Sequence, residues 1–291
     1  MTDTIRGSGR LLDRNWLLVV PALALMAVVL LVPLFESLWG SLFNPNFSFD
    51  SYVSLVTDGI TLKVLGRTAL VAAIVTVATL VIAYPYAYLM TRVGPRARGA
   101  LLVVVLIPFW TSALARNFAW IVILQRKGPL DSVLSFFGIH GVVLYGTAAG
   151  VTIAMVQVLL PFMVLPLFST LGSIDRRLLL AARGLGSPPV VAFWKIYWPL
   201  SRAGVVAGMM LVFTLSLGFY ITPAIVGSPQ QSLIAQLLGQ RTTELLDFAG
   251  AGALGMVVLV ITLVLVAWAN RLGGTISAIG IVAHAESRSR A

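Results

Sequence analysis

The sequence predicts an all-α membrane protein that crosses the bilayer about six times. Of its 291 residues, 59% are hydrophobic and only 10% are charged, whereas about a quarter of the residues in a soluble domain are charged. Mean hydropathy is +0.98. Uncharged runs long enough to cross a hydrocarbon core of ~30 Å recur along the chain, and basic residues concentrate in alternate connections between them.

Apolar runs of about 17 to 24 residues are predicted to span the membrane, since ~1.5 Å per helical residue gives ~26–36 Å. The third run is the most interrupted, because Pro108 lies inside it and Arg116 ends its uncharged stretch. The segment from Arg116 to about Tyr145 is expected to form amphipathic helices at the outer interface, with a turn at Gly128–Pro129. The predicted spans are residues 16–38, 68–91, 99–115, 147–170, 203–221 and 248–270.

The distribution of positive charge predicts the orientation of the chain. With the N-terminus in the cytoplasm, the inner segments hold 14 of the 20 lysines and arginines, which favours cytoplasmic positions for both termini. This distribution also accounts for the net charge of +10 without nucleic-acid binding. The run 16–38 is too long for the core of a signal peptide. We therefore expect a multi-pass membrane protein with both termini on the cytoplasmic side.

Motifs for several kinds of chemistry are missing from the sequence. It has no P-loop pattern, no cysteine, and two isolated histidines, His140 and His284. No acidic residue lies deep in a predicted span, where a proton-coupled transporter needs ionisable groups. A membrane enzyme would need a catalytic constellation that the chain lacks. These features favour a transport subunit that takes its energy from another chain and binds no metal or cofactor of its own.

Small and aromatic residues inside two predicted spans suggest packing roles. Gly204 and Gly208, four residues apart in the fifth span, are expected to allow another helix to approach closely. Tyr84 and Tyr88 share one face near the end of the second span, where aromatic rings commonly anchor a helix at the membrane interface, and a role in gating is the alternative.

A basic stretch broken by glycine and proline, LLAARGLGSPPVVAFWKIYWPL, occupies residues 179–200. Asp175 is predicted to cap a helix over 176–183, and Gly184 or Gly186 suits the left-handed residue that ends it. Ser187 and Pro188 would start a second helix, which Pro199 would end before the fifth span. Residues that repeat at helical spacing give the second helix an apolar face: Val190, Phe193, Trp194 and Tyr197. Such a unit can lie on lipid headgroups or dock on another protein.

The same stretch resembles the EAA loop of ABC-importer permeases. Leu180 stands where the family usually has Glu, and Trp198 replaces the usual Leu before the final proline. Three other segments, 107–134, 160–175 and 218–229, are similar to first-type permeases of spermidine/putrescine importers. The residues that match the loop signature are Ala181, Ala182, Gly186, Ile196, Pro199 and Leu200.

The resemblance implies a protein of the bacterial inner membrane with the type I ABC-importer permease fold and the permease core over 64–270. Residues 1–63 would hold a cytoplasmic tail, the first span and an outer loop, and 271–291 a cytoplasmic tail. The loop 175–199 would be a coupling helix docked on a separate ATPase, which would bind ATP and Mg. A second permease, a periplasmic or extracellular substrate-binding protein and the lipid membrane would be the other partners. The residues expected to couple to the ATPase are Ala181, Ala182, Arg183, Leu185, Gly186, Ser187, Phe193 and Pro199.

The function implied is ATP-driven import of a small polar solute, with a polyamine favoured. Ferric iron, thiamine, an opine or an amino-acid derivative are alternative solutes, and an ion-coupled secondary transporter is an alternative class. Outer carboxylates could attract a cationic solute, and aromatic faces could hold it. The candidate path residues are Glu36, Trp110, Arg116, Trp120, Tyr220, Glu244 and Asp247.

Overall fold

The computed structural model of the chain describes residues 10–43 and 47–289, with the side chains of 10–19, 176, 183, 268–270 and 272–289 left out. Every regular element in this part of the chain is a helix. In chain order the helices are α1 (Arg10–Leu42), α2 (Asp50–Thr57), α3 (Gly59–Arg92), α4 (Pro95–Trp110), α5 (Ala113–Leu124), α6 (Pro129–Phe136), α7 (Ala148–Ser173), α8 (Arg176–Gly184), α9 (Pro189–Ala192), a π-helical turn (Phe193–Tyr197), α10 (Trp198–Leu217), α11 (Ile221–Val226), a 3₁₀ turn (Pro229–Gln231), α12 (Ile234–Thr243) and α13 (Phe248–Ser289).

Among the described residues, five helical segments are long and apolar enough to cross a membrane. The pair Pro95–Trp110 and Ala113–Phe136 passes the same test together, but the two helices meet at an angle of 99°. The predicted all-α, polytopic class is therefore confirmed, with five spans or six if the bent pair counts as one. The five segments are Val20–Leu42, Gly59–Arg92, Ala148–Ser173, Pro189–Leu217 and Phe248–Ala267.

The third predicted span is wrong at its end. The expected helix over 99–115 stops at Trp110, and Thr111 adopts an extended backbone (φ −87°, ψ 142°) before α5 begins. The Arg116 guanidinium donates a hydrogen bond to the Pro108 carbonyl across this break (2.5 Å), so a side chain satisfies a carbonyl of the last turn of α4. The turn predicted at Gly128–Pro129 is confirmed, since Gly128 donates its N–H to the Gln125 carbonyl and Pro129 begins α6.

The fifth predicted span is wrong at its start. One apolar helical segment runs from Pro189 to Leu217. Pro199 lies inside this segment, so the prediction that it ends the second helix is wrong. A π-helical turn directly precedes this proline, and the Trp198 N–H donates to the Phe193 carbonyl five residues back. The wider turn changes the hydrogen-bond register just where proline has no N–H to donate.

The chain forms two compact units. The first comprises residues up to Asp58 together with Gln240–Leu259, and the second comprises Gly59–Gly239 together with the residues from Val260 onward. The domain boundaries predicted at 63 and 270 both lie inside helices, α3 and α13.

In the first unit, ion pairs and a row of rings hold the connections between helices. Arg241 pairs with Asp58 (3.6 Å) and with Asp247 (3.7 Å). The row follows the end of α1 into α2, with neighbouring ring centroids 4.2–6.3 Å apart. Its members are Phe35, Trp39, Phe43, Phe47, Phe49 and Tyr52.

In the second unit, α3, α7 and α10 pack together around the core. The close approach predicted for Gly204 and Gly208 is confirmed, and both residues are buried. A Cβ added to Gly204 would lie 2.7 Å from the Thr170 Cβ, and one added to Gly208 would lie 2.6 Å from the Met163 sulfur. The core side chains include Val75, Ala83, Ala87, Met155, Leu159, Val164, Leu167 and Val212.

Gly204→Ala is expected to destabilise the chain, because Thr170 and the Pro166 carbonyl leave no room for a methyl group. The expected loss is about 1–3 kcal/mol, the usual cost of overpacking. Gly208→Ala should cost less, because its contact is the flexible end of Met163. The measurement is the thermal unfolding midpoint of the purified full chain in detergent. Gly66→Ala, with nothing within 4 Å of its added Cβ, is the control, and an equal loss there would refute the packing explanation.

Candidate functional site

The candidate site is the segment 175–199, which links α7 to the helix that continues as α10. Its first helix, α8, covers Arg176–Gly184, close to the predicted range. The Asp175 carboxylate accepts a hydrogen bond from the Arg177 N–H (2.9 Å), so the predicted capping by Asp175 is confirmed. One polar side chain thus marks the point where the chain leaves the membrane helix.

The end of α8 is a Schellman turn centred on Gly186. The Ser187 N–H donates to the Ala182 carbonyl (3.0 Å) and the Leu185 N–H to the Ala181 carbonyl (3.0 Å). Gly186 has φ +80°, the left-handed conformation that glycine adopts without the Cβ penalty. The predicted left-handed glycine is therefore Gly186. The turn presents Leu185 outward, with 90% of its surface exposed.

The second helix begins one residue later than predicted. Its N-terminal cap is Pro188 and its first residue is Pro189, and no side chain caps it. The prediction that Ser187 caps and Pro188 begins this helix is wrong, because a residue before a proline is driven out of the helical region. Pro188 accordingly has ψ 149°.

The four residues predicted to form one apolar face of the second helix do not all point toward the protein interior. Tyr197 is 4% exposed and Phe193 is half-buried, whereas Val190 and Trp194 are 67% and 57% exposed. The π-helical turn lies inside this row of residues, so the simple helical spacing that grouped them does not hold across it.

The buried rings of this helix pack on two tyrosines of α3. The Tyr88 ring lies 5.2 Å from Tyr197 and 6.3 Å from Phe193, both edge-on, and the Tyr84 ring lies 6.1 Å from Phe193. The Tyr84 hydroxyl also hydrogen-bonds with Ser201 (3.0 Å). Tyr84 and Tyr88 therefore pack on another helix of the chain, a contact that the interpretation as interface anchors did not include. The sequence signal for this packing was the spacing of four residues between the two tyrosines, since it places both rings on one helix face.

The residues expected to couple to an ATPase do not share one surface. Ala181, Leu185 and Gly186 are exposed at the turn, while Phe193 and Pro199 are partly buried. Ala182 and Ser187 are intermediate, and the Arg183 side chain lies outside the described residues. The turn between the two helices is thus the accessible part of the segment.

A cavity of about 350 Å³ separates the two helices of the segment from the end of α3. Leu180, which is 65% exposed, lines it where the resembling family usually carries an acidic residue. Arg92, which composition and spacing did not single out, lies on the opposite wall and donates to the Tyr88 hydroxyl (2.6 Å). The lining residues are Tyr88, Arg92, Leu179, Leu180, Pro189, Ala192, Phe193 and Tyr197.

Three candidate path residues lie in the first unit. Glu36 is exposed on α1, and Glu244 accepts a hydrogen bond from Gln240 (3.0 Å). Asp247 accepts one from the Gly250 N–H (2.8 Å) in addition to its pairing with Arg241. Asp247 therefore stabilises its own loop, whereas Glu36 and Glu244 are exposed.

The other four candidates lie in the second unit. Trp110 is exposed, and Arg116 is held by the Pro108 carbonyl. The Trp120 indole N–H donates to the Gln157 side-chain oxygen (3.3 Å), which connects α5 to the middle of α7. The Tyr220 ring stands beside Gly239. Among the described side chains, no group of three or more histidines and carboxylates could hold a metal ion.

Residues 83–276 match the family described as "Binding-protein-dependent transport system inner membrane component". The chain belongs to this family. The match includes the whole segment 175–199 and the last turns of α3, so the family region contains the turn and the rings that hold it. The predicted multi-pass, inner-membrane location agrees with this membership.

Several relatives with assigned names cover most of the chain. The spermidine/putrescine transport system permease protein PotB of Escherichia coli (strain K12) is 32% identical over 231 residues, which is 78% of this chain and 84% of the relative. Its Haemophilus influenzae counterpart is 31% identical over 275 residues, 89% of this chain and 91% of the relative. A probable sulfate transport system permease protein, cysT of Nephroselmis olivacea, is 29% identical over 263 residues, again 89% and 91%.

A solved structure with the same fold is a bacterial alginate ABC transporter in complex with a periplasmic protein that carries an alginate pentasaccharide. The superposition has a TM-score of 0.76 and covers 91% of this chain and 96% of that chain. Sequence identity is 17%, so the likeness concerns the fold. The type I ABC-importer permease fold predicted for the chain is confirmed.

Replacing Tyr88 should loosen the segment without unfolding the spans. Tyr88→Ala removes the ring that packs on Phe193 and Tyr197. Truncating a fully buried aromatic costs about 3–5 kcal/mol, and the cost should be smaller here because Tyr88 is only partly buried. We expect faster backbone hydrogen exchange over 189–200, measured on the purified full chain by mass spectrometry. Tyr88→Phe keeps the ring and should exchange like the wild type. Equal protection in Tyr88→Ala would contradict the assigned packing.

Proposed function

We propose that the chain is the permease subunit of an ATP-driven importer and that it carries a polyamine of the spermidine or putrescine kind across the inner membrane. One observation carries the choice of solute: the 32% identity to a spermidine/putrescine permease over 78% of the chain. The family membership supports the broader proposal that the chain takes part in solute transport.

The charge of the first unit supports a cationic solute. Its segments 20–58 and 240–259 contain five carboxylates and a single arginine. That arginine, Arg241, is already paired with two of the carboxylates. An excess of negative charge raises the local concentration of cations, and the charge distribution of the whole chain predicts that these carboxylates lie on the outer side.

An oxyanion is the second candidate solute. The similarity to a sulfate permease favours it, and so does Arg116, whose Nε is buried and has no hydrogen-bond partner among the described atoms. A guanidinium with an unused donor is suited to binding an oxyanion. Uptake of labelled spermidine and labelled sulfate by the assembled transporter separates the two solutes.

Energy for transport would come from a separate ATPase that binds ATP and Mg, and this chain would act as a transport subunit with no catalytic role. The ATPase would dock on the turn of the segment 175–199, where Ala181, Leu185 and Gly186 are exposed. A second permease and a periplasmic or extracellular substrate-binding protein would complete the importer. The rigid packing of Phe193 and Tyr197 on α3 would pass movement of the turn to the membrane helices.

Both termini are proposed to be cytoplasmic, which puts Ser187 and Ser232 on opposite sides of the membrane. The chain has no natural cysteine, so single cysteines at these positions report the side directly. Ser187→Cys should react with an impermeant maleimide only in opened vesicles, and Ser232→Cys also in intact cells. Reaction of both from the same side would rule out this topology.

Neutralising two of the exposed outer carboxylates, Glu36 and Glu244, should weaken polyamine uptake. Glu36→Gln combined with Glu244→Gln leaves the Arg241–Asp247 pair untouched and removes two negative charges. A lower on-rate should raise the half-saturating concentration of spermidine by about threefold to tenfold at low salt, and less at high salt. Asp131→Asn is the matched control, since it also removes one carboxylate but lies in the second unit. Unchanged uptake in the double variant would exclude these two carboxylates from solute capture.

Gly186→Glu should uncouple ATP hydrolysis from transport. A Cβ at Gly186 meets nothing within 4 Å of the chain itself, so the cost inside the subunit is the left-handed strain of ~1 kcal/mol. Gly186→Ala carries the same strain with little bulk and should stay coupled. Purified complexes of both variants are compared in liposomes for solute-stimulated hydrolysis and uptake. If Gly186→Glu matches Gly186→Ala in both assays, no partner covers this turn.

A further inference from the structure

A second, smaller cavity lies at the shared end of three membrane helices in the second unit. It has a volume of about 100 Å³, roughly the space of three waters at ~30 Å³ each, which is enough for one phosphate group. Its walls are the last residues of α3, the first turn of α4 and the end of α7. The lining residues are Thr91, Arg92, Arg98, Phe168, Leu171, Gly172, Ile174 and Tyr197.

Two guanidinium groups line this cavity, that of the exposed Arg92 and that of the partly buried Arg98, and none of the described residues that line it is acidic. Asp175, which follows the lining residue Ile174, directs its carboxylate to the Arg177 N–H instead. Two cations in one small cavity repel each other when no anion lies between them.

Both arginines are held in place by contacts that leave donors unused. The Arg92 guanidinium donates to the Tyr88 hydroxyl (2.6 Å) and lies 4.8 Å from the centre of that ring. Arg98 donates to the carbonyls of Met90 (3.2 Å) and Val93 (3.5 Å) and lies 5.8 Å from the Phe168 ring. These bonds engage one of the five N–H groups on Arg92 and two of those on Arg98. The remaining donors can bind the oxygens of an anion whose site is already ordered.

The depth of the cavity identifies the source of the anion. Arg92 is the last residue of the 34-residue helix α3, and Gly172 is one residue from the end of α7. The ends of membrane-spanning helices lie at the level of the lipid headgroups. Basic pockets between membrane helices at this level suit anionic phospholipids.

We propose that Arg92 and Arg98 form a binding site for the phosphate of an anionic phospholipid. Arg92 and Tyr197 also line the larger cavity beside the segment 175–199. A bound headgroup would therefore fix the wall against which the segment packs. The site is independent of the transported solute, and it belongs to this chain alone.

The test is lipid binding to the purified full chain in a neutral detergent, measured by native mass spectrometry. Dilauroyl phosphatidylglycerol, dilauroyl phosphatidylcholine and inorganic phosphate are the three probes. We expect one tightly held phosphatidylglycerol, weaker phosphatidylcholine, and no displacement by millimolar phosphate. Equal retention of the two lipids would overturn the proposal, and displacement by inorganic phosphate would assign the site to a free anion instead.

Matched variants separate this site from general attraction to a charged surface. Arg92→Gln with Arg98→Gln should weaken phosphatidylglycerol binding by about 150-fold or more, since each removes a charge-assisted contact of at least about 1.5 kcal/mol, whereas the loss of two diffuse charges would cost only about 25-fold. Arg96→Gln changes the same connection but does not line the cavity, and it should cost no more than about fivefold, the effect of one diffuse charge. An equal loss in Arg96→Gln would overturn the proposal.

A variant that keeps both charges covers the case in which the double variant does not fold. Gly172→Leu places a bulky side chain at a residue that lines the cavity, and the chain has room for it because an added Cβ meets nothing within 4 Å. It should also weaken phosphatidylglycerol binding by about 30-fold, because a bulky side chain at the rim of the cavity obstructs the phosphate. Full binding in Gly172→Leu, with an unchanged unfolding midpoint, would show that the lipid binds elsewhere.

Discussion

The packing of Tyr84 and Tyr88 against Phe193 and Tyr197 is the contact on which the candidate site depends. Edge-on aromatic pairs add about 0.5–1.5 kcal/mol each beyond the area they bury, and here they join the membrane helix α3 to the segment 175–199. Without them the second helix of the segment would lose its ring contacts with α3, and Val190 and Trp194 already point outward. In the proposed coupling role, the turn at Gly186 could transmit force only because the helix behind it is fixed.

The same contact explains why a helix that contains Pro199 remains continuous. The rings of Phe193 and Tyr197 lie at the two ends of the π-helical turn, and both contact α3. Residues four apart lie on one face of an α-helix. The π-helical turn likewise keeps the Phe193 and Tyr197 rings on the side that faces α3, and it also accommodates Pro199. The irregular hydrogen bonding of the π-helical turn is thus combined with close packing of its rings on α3.

Sequence periodicity and composition were sufficient for the all-α polytopic class, the cap at Asp175, a left-handed glycine at 184 or 186 and the close approach at Gly204. Each of these depends on residues near one another in the chain or on a residue type with one dominant property. The error at Ser187 is also local, since Pro188 precedes a second proline, but the errors at Pro199 and Thr111 share another cause. A proline can start, end or be accommodated within a helix, and the outcome depends on contacts with distant residues such as Tyr88. The positions of Arg92 and Leu180 on facing walls of one cavity could not be predicted either, because they are far apart in sequence.

The π-helical turn has a consequence for how the chain tolerates insertions and deletions. Such a turn holds one residue more than the α-helical path it replaces. Removing one residue between Phe193 and Tyr197 would therefore leave a regular α-helix, and the residues after it would keep the faces that they now present. Removing one residue from the regular part of α10, between Trp198 and Gly204, would instead rotate everything after it by about 100°. Gly204 and Gly208 would then turn away from α7, and larger side chains would face Thr170 and Met163. The helix should therefore tolerate the loss of one residue in the π-helical turn but not a few residues later.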